Sequence, residues 1–347
     1  MQQWDILNKN LEEVTLQYLE AKTKDRSNLS DIAIGIKIAN IAQQLGFIDE
    51  LENEQIIEKE LINTWIRTKT APYIFSDPSL FGGSGDLLFS LSQRKYNDEI
   101  EKIKDYLLEN ILFNTRKILL QESLQFEQLD FLSGVGSAIY CISLLNSIDK
   151  RNLQIYWIIK SYISNLIKKI HNRNISNFGV AHGLAGILIV LRKIKDVFYF
   201  KDVRQQLDDL IDEIRGKILI YLEAPRNLYK ERNSWCYGDL AIQKAVYSNK
   251  KLDITNHIET VLCGLKSDVV CHGKSSLLIF CNTDEEKSVQ KLLSRISHSI
   301  DLENIIIDKS YNYDKNELLS GKGGVILSVL CEAAQSNILA KQMGMVF

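Results

Sequence analysis

Six times along this chain a short glycine motif opens a strongly apolar stretch. A turn repeated at a near-constant step can bury such stretches only by stacking them against one another. The motifs are Leu80-Phe81-Gly82-Gly83-Ser84-Gly85, Leu132-Ser133-Gly134-Val135-Gly136, Ala181-His182-Gly183-Leu184-Ala185-Gly186, Cys236-Tyr237-Gly238-Asp239, Cys271-His272-Gly273-Lys274 and Leu319-Ser320-Gly321-Lys322-Gly323-Gly324. Counted from Gly82, Gly134, Gly183, Gly238, Gly273 and Gly321, the steps are 52, 49, 55, 35 and 48 residues. A period near fifty corresponds to two helices and two connections, the size class of helical repeat arrays.

The stretches after the glycines, such as Gly186-Ile187-Leu188-Ile189-Val190-Leu191 and Val325-Ile326-Leu327-Ser328-Val329-Leu330, are apolar on every side. They read as inner helices with little solvent contact. Between them, Asp98–Leu108 and Val203–Ile211 place apolar residues at helical spacing with charges opposite, which is the pattern of outer helices. Thr283-Asp284-Glu285-Glu286 carries a capping-box pattern ahead of another such helix. Inner helices alternating with outer ones predict an all-α fold, an α/α toroid, with every glycine turn gathered at one mouth. Glycine there allows close backbone approach and positive φ. Residues 1–77 are expected to hold further helices packed on the toroid, one running from Ser30 to Gln44 and ending near Gly46; residues 78–347 hold the repeats. Asn304-Ile305-Ile306-Ile307 is strand-like in composition but too short to change the class.

Composition excludes several functions. The 347 residues include 42 basic and 44 acidic side chains, a balance that gives no attraction for nucleic acid or an anionic membrane. No apolar run approaches the ~20 residues that span a bilayer, and the N-terminus lacks the pattern of a signal peptide. Six cysteines at scattered spacings read as free thiols or metal ligands in a reducing cytoplasm. Only three prolines occur, which favours long uninterrupted helices.

If the turns converge, so do the residues just before their glycines. These are Asp130, His182, Arg232, Cys236, Cys271 and His272, with Tyr237 between Cys236 and Gly238. Cys236, Cys271 and His272 supply the three ligands from which a catalytic zinc site with an open fourth position is built, although such ligands also take copper(I) or iron. Two thiolates leave the ion with little residual charge, so a third thiol bound there is deprotonated yet remains nucleophilic. That favours a thiol substrate over water. His182 is the candidate general acid for an enolate left by thiol addition to an activated alkene. Asp130 would either take the thiol proton or orient the imidazole, and Arg232 would stabilise the enolate oxygen or hold Asp130. Trp235 and Tyr237 read as packing residues that shape the mouth. Glu317 stands in the register of Asp130 at the sixth turn and reads as structural. Cys141, Cys263, Cys281 and Cys331 sit among apolar neighbours and read as buried core cysteines, Cys263 being the one spare ligand candidate.

On the same residues the chain resembles the lanthionine synthetase C-like family. The matching pieces are the glycine turns, Asp130 before Gly134, Ala181-His182-Gly183-Leu184-Ala185-Gly186, Arg232 with Trp235-Cys236-Tyr237-Gly238, and Cys271-His272-Gly273, from about residue 78 onward. The resemblance implies an α/α toroid holding one zinc ion on Cys236, Cys271 and His272. It also implies a cyclase that adds peptide cysteines to dehydroalanine or dehydrobutyrine to form thioether rings. His182 and Asp130 would be its acid–base pair, and Arg232 and Tyr237 further active-site positions. The implied partners are a dehydrated precursor with its leader peptide, the pathway dehydratase and the transporter. The implied location is cytoplasmic, peripheral to a membrane-associated biosynthetic complex. The chain departs from the family pattern at Asp239-Leu240, at Gly273-Lys274-Ser275-Ser276 and at Ser137, departures that spare the ligands. The rival reading is a non-catalytic relative, a zinc-, glutathione- or peptide-binding scaffold. A prenyltransferase-like zinc toroid is disfavoured, because no aspartate ligand at suitable spacing appears.

Overall fold

A computed structural model of the chain describes residues 2–25, 29–70, 75–145, 152–172, 175–224, 234–247, 265, 267–281, 295–305 and 317–346. The expectations placed on Arg232, Cys263, Ile306-Ile307 and the capping box at 283–286 lie outside these residues. Among the described residues every regular element is helical. None of their helices is long and apolar enough to cross a membrane.

The chain divides into two compact units, Ile74–Leu252 with Phe347, and Met1–Tyr73 with Asp253–Val346. In the first, helices α4 (Ser84–Leu91), α6 (Val135–Leu144), α8 (Leu184–Val197) and α10 (Asp239–Val246) pack side by side in sequence order. Against them lie α5 (Asp98–Leu119), α7 (Asn152–Asn172) and α9 (Arg204–Glu223), also in order. The two layers follow from composition. Every residue of α4, and residues Leu184 to Leu191 of α8, are buried. Each fully buried leucine or isoleucine contributes about 1.5–3 kcal/mol. Helix α5 buries only one stripe, including Ile100, Leu107, Ile111 and Leu119, and starts at Asn97, whose side chain accepts the Ile100 N–H at 3.1 Å. Arg192 of α8 donates to the carbonyls of Ala245 and Val246, tying two inner helices together where the last carbonyls of α10 lack helical partners.

The second unit holds α1 (Gln2–Asp25), α2 (Leu29–Gln44), α3 (Glu50–Thr70), α11 (Lys274–Cys281), the single helical turn α12 (Leu302–Ile305), α13 (Lys322–Ala333) and α14 (Ile338–Gln342). Helix α2 is buried from Leu29 to Ala42 and packs against α13, which in turn packs against α11. It is therefore as inward as the repeat helices, although no glycine motif opens it. It ends at Gly46, whose φ of 77° allows the Phe47 N–H to reach the Ala42 carbonyl at 2.9 Å. Asn304 and Ile305 belong to α12, so the strand-like reading there gives way to a helical turn.

Five inner helices are capped by a repeat glycine with extended backbone: Gly83, Gly134, Gly183, Gly238 and Gly321 have φ between −76° and −131°. None of the five thus needs positive φ, and at Gly83, Gly134, Gly183 and Gly321 an added Cβ would crowd neighbouring atoms. In the first turn the cap is Gly83; Gly82 precedes it with φ of 94°. At the first, third and fifth turns the chain ahead of the cap folds back over the helix start. The carbonyls of Asp77, Asn177 and Ser267, six residues before their caps, accept the N–H just after the cap at 2.9, 3.1 and 2.9 Å. The same fold-back brings the Val180 carbonyl against Gly186, where an added Cβ would overlap it.

Gly186→Ala is therefore expected to destabilise the protein by about 1–3 kcal/mol, the usual cost of overpacking. Gly216, within α9, has nothing within 4 Å of an added Cβ. Gly216→Ala should stabilise by about 0.5–1 kcal/mol through helix propensity alone. Thermal or denaturant unfolding of the two variants measures both effects.

Candidate active site

Within each unit, successive turns are hydrogen-bonded to one another. Within the unit Ile74–Leu252, the Leu80 N–H donates to Ser137 Oγ at 2.7 Å, joining the first turn to the second. The Leu132 N–H donates to the Ala181 carbonyl at 3.0 Å, and the Val180 and Ala181 N–H groups donate to the Cys236 carbonyl at 2.8 and 3.3 Å. In the other unit the Cys271 N–H donates to the Leu319 carbonyl at 2.9 Å. Leu132, Ala181, Cys236, Cys271 and Leu319 all stand two residues before their cap glycines. Equivalent positions of neighbouring turns therefore meet, as the repeat predicts. Ser137, a departure from the expected glycine, is fully buried and makes the link to the first turn itself.

Behind these links sits an aromatic cluster. Trp235 is fully buried, with ring centroids 5.5 Å from Phe81 and 6.2 Å from Phe131, while Phe81 and Phe131 lie 5.4 Å apart. Three turns thus share one apolar plug, and edge and tilted ring contacts of this kind add to the area they bury. Tyr237 lies against Gly179, where an added Cβ would come within 2.7 Å of its ring. Trp235 is thus a packing residue, while Tyr237 is only half-buried.

Asp130 and His182 are 52 residues apart and meet directly: His182 Nδ1 lies 2.6 Å from Asp130 Oδ2. Asp130 has no exposed surface, while the His182 side chain is 34% exposed. Asp130 Oδ1 also accepts the N–H groups of Leu132, Ser133 and Gly134 at 3.0, 2.8 and 2.8 Å. An oxygen that accepts three N–H groups belongs to a carboxylate, so Nδ1 carries the hydrogen of the bond to Oδ2. The other ring nitrogen, Nε2, is left to exchange protons with whatever lies before it. The hydrogen bond to Asp130 raises the His182 pKa; burial opposes the rise, and the charges of Asp130 and Glu127 add to it. Asp130, buried and accepting hydrogen bonds on both oxygens, holds the imidazole by its Nδ1.

Glu317 stands in the same register at the sixth turn. Its Oε1 accepts the Gly323 N–H at 2.8 Å and the Tyr18 hydroxyl at 3.1 Å, securing α1 to the start of α13. Cys236 is 5% exposed. Cys271 is half-buried and His272 exposed, on the fifth turn of the other unit. Lys274, just after that turn, is held by Asp268 Oδ1 at 3.0 Å and the Ser299 carbonyl at 2.5 Å. Among the described residues no group of three or more His, Cys, Asp or Glu side chains is gathered as a metal-holding cluster. Cys141 and Cys331 are free and buried, as expected, and burial pushes the Cys331 thiol up to about 12.

The sequence profile described as lanthionine synthetase C-like protein matches residues 49–337. The chain belongs to that family. The nisin biosynthesis protein NisC of Lactococcus lactis subsp. lactis is 23% identical over 337 residues, covering 80% of this chain and 79% of that one. Among solved structures, one described as nisin cyclase superimposes with a TM-score of 0.67 at 19% identity, covering 97% of each chain. That likeness establishes the fold class read from the repeats, the all-α α/α toroid.

A raised His182 pKa has a definite sign. Protonated His182 stabilises the folded protein below the free-histidine pKa of about 6.5, and the contribution is lost as pH rises through the higher folded value. NMR titration should show the His182 ring titrating above about 6.5. In Asp130→Asn it should move back toward that value, because the carboxylate holding the imidazolium is gone.

Proposed function

We infer that the protein is a lanthipeptide cyclase, forming thioether rings by adding cysteine thiols of a dehydrated peptide to dehydroalanine or dehydrobutyrine. The observation that carries this reading is the buried carboxylate at 2.6 Å from a half-exposed histidine, on turns of a chain in this family. In the addition, the new bond joins the cysteine sulfur to the alkene β-carbon. The alkene electrons move to the α-carbon and carbonyl, giving an enolate that must gain a proton. His182 delivers that proton from Nε2, and Asp130 holds the ring in the required tautomer and stabilises its charged form. Arg232 would stabilise the enolate oxygen or hold Asp130.

The donor chemistry of Cys236, Cys271 and His272 fits zinc, with two thiolates and one imidazole leaving an open fourth position. Cys236 is anchored for such a role by the two hydrogen bonds to its own carbonyl. When bound, zinc would lower the pKa of a substrate thiol so that it reacts as thiolate at neutral pH. The precursor peptide with its leader, the pathway dehydratase and the transporter are the proposed partners, in the cytoplasm or at its membrane face.

The reading is tested by incubating the protein with dehydrated, cysteine-containing peptides and then alkylating free thiols. Ring formation leaves the mass unchanged but protects the thiol, so the alkylated fraction should fall well below that of the spontaneous reaction. His182→Ala should slow protection by about 10²–10⁴, the usual contribution of a general acid. Metal analysis should find roughly one zinc per chain, lost in Cys236→Ala. Absence of protection across several peptides, with zinc present and the protein folded, would favour the scaffold reading instead.

A further inference from the structure

The outer face of the unit Ile74–Leu252 carries an apolar surface that the proposed reaction does not use. Helix α5 buries Leu107, Leu108, Ile111 and Leu112 on its inner side. On the opposite side Tyr106, Phe113 and Leu120 recur every seven residues and are 50%, 67% and 69% exposed. A seven-residue step keeps side chains within about 20° of one line along a helix. Beside this stripe α7 presents Leu153 and Trp157, 70% and 53% exposed. Between the helices runs a cleft of about 360 Å³, lined by these two residues with Phe113, Leu112 and Ile158 and flanked by Glu109 and Arg116. Contiguous exposed apolar surface of this kind marks an interaction site.

We propose that this face is an interface between two copies of the chain, with the two α5 helices antiparallel and Phe113 at the two-fold axis. The charges argue for this occupant. Reversing the stripe about Phe113 places Tyr106 over the second copy's Leu120. It sets Glu109 opposite the second copy's Arg116 and Lys117, and exposed Lys102 close to the second copy's exposed Glu122. The contact of Glu109 with Arg116 and Lys117 then recurs on both sides of the axis. A parallel copy would set Glu109 beside Glu109 and Arg116 beside Arg116. The mixed signs likewise offer nothing to an anionic lipid surface, which draws runs of basic residues. Self-complementarity of one patch about a two-fold axis is the defining property of an isologous dimer. Phe113 of each copy would enter the α5–α7 cleft of the other, supplying the central aromatic anchor on which such interfaces depend.

Sedimentation equilibrium of the full chain over micromolar concentrations tests this. The chain should sediment at twice the monomer mass. Phe113→Glu should raise the dimer dissociation constant at least about thirtyfold, the loss expected when a central anchor is removed. Glu109→Lys alone and the double variant Arg116→Glu, Lys117→Glu alone should each weaken self-association. Mixed with each other, those two proteins should form a heterodimer, because the opposite charges are restored across the axis. That restoration cannot arise from a folding defect. A wild-type chain that stays at monomer mass overturns the proposal. So does a dimer indifferent to Phe113→Glu, and so does a mixture that shows no gain over its components.

Discussion

At the cap of the third inner helix, an added Cβ on Gly183 would stand 2.5 Å from the Gly179 nitrogen and 2.6 Å from the Asn177 carbonyl oxygen. The space that the missing side chain leaves at this cap is what lets the preceding segment fold back over the helix start. The fold-back satisfies helix N–H groups that otherwise lack partners, and it turns the residues just before the cap toward the neighbouring turn. Gly273 shows the same crowding, at 2.5 Å from the Ser267 carbonyl oxygen and the Val269 nitrogen. One steric condition, repeated, therefore produces both the layered packing and the lateral hydrogen bonds between turns.

The site inherits its rigidity from those bonds. His182 follows Ala181, whose carbonyl holds the second turn and whose N–H is held by the fourth. Asp130 is fixed by three N–H groups of its own turn before it meets His182. The pairing at 2.6 Å thus joins two groups that are already positioned. A carboxylate satisfied on all sides and closed to solvent is well suited to hold an imidazolium and poorly suited to abstract a proton from a substrate. Under the proposed function, this geometry favours the orienting one of the two roles that the sequence leaves open for Asp130.

Repeat spacing is a property of the chain itself, so the layers, the convergence of the turns and the meeting of Asp130 with His182 could all be read without coordinates. What escaped depends on geometry that composition does not encode. Gly82 and Gly83 are both glycines, and only backbone dihedrals show which one caps the helix. Ser137 looked like a lost glycine, whereas its hydroxyl joins two turns. Helix α2 is as buried as the repeat helices, yet no motif opens it, so its inward place could not be inferred from the pattern that identified the others. Ile305 is β-branched and sits in a helical turn, where packing of a buried side chain outweighs local propensity. The zinc ligands rest on donor chemistry and family membership.

The central chemical claim is that a histidine held by Asp130 protonates the enolate. Cyclisation of a dehydrated peptide in deuterated water tests it most directly, with the configuration at the newly protonated α-carbon read by NMR. Delivery from a fixed imidazole predicts a single deuteron per ring and one configuration with the native protein. With His182→Gln the reaction should be slow and yield a mixture. Rings formed by His182→Gln at the native rate and in the native configuration would contradict the claim.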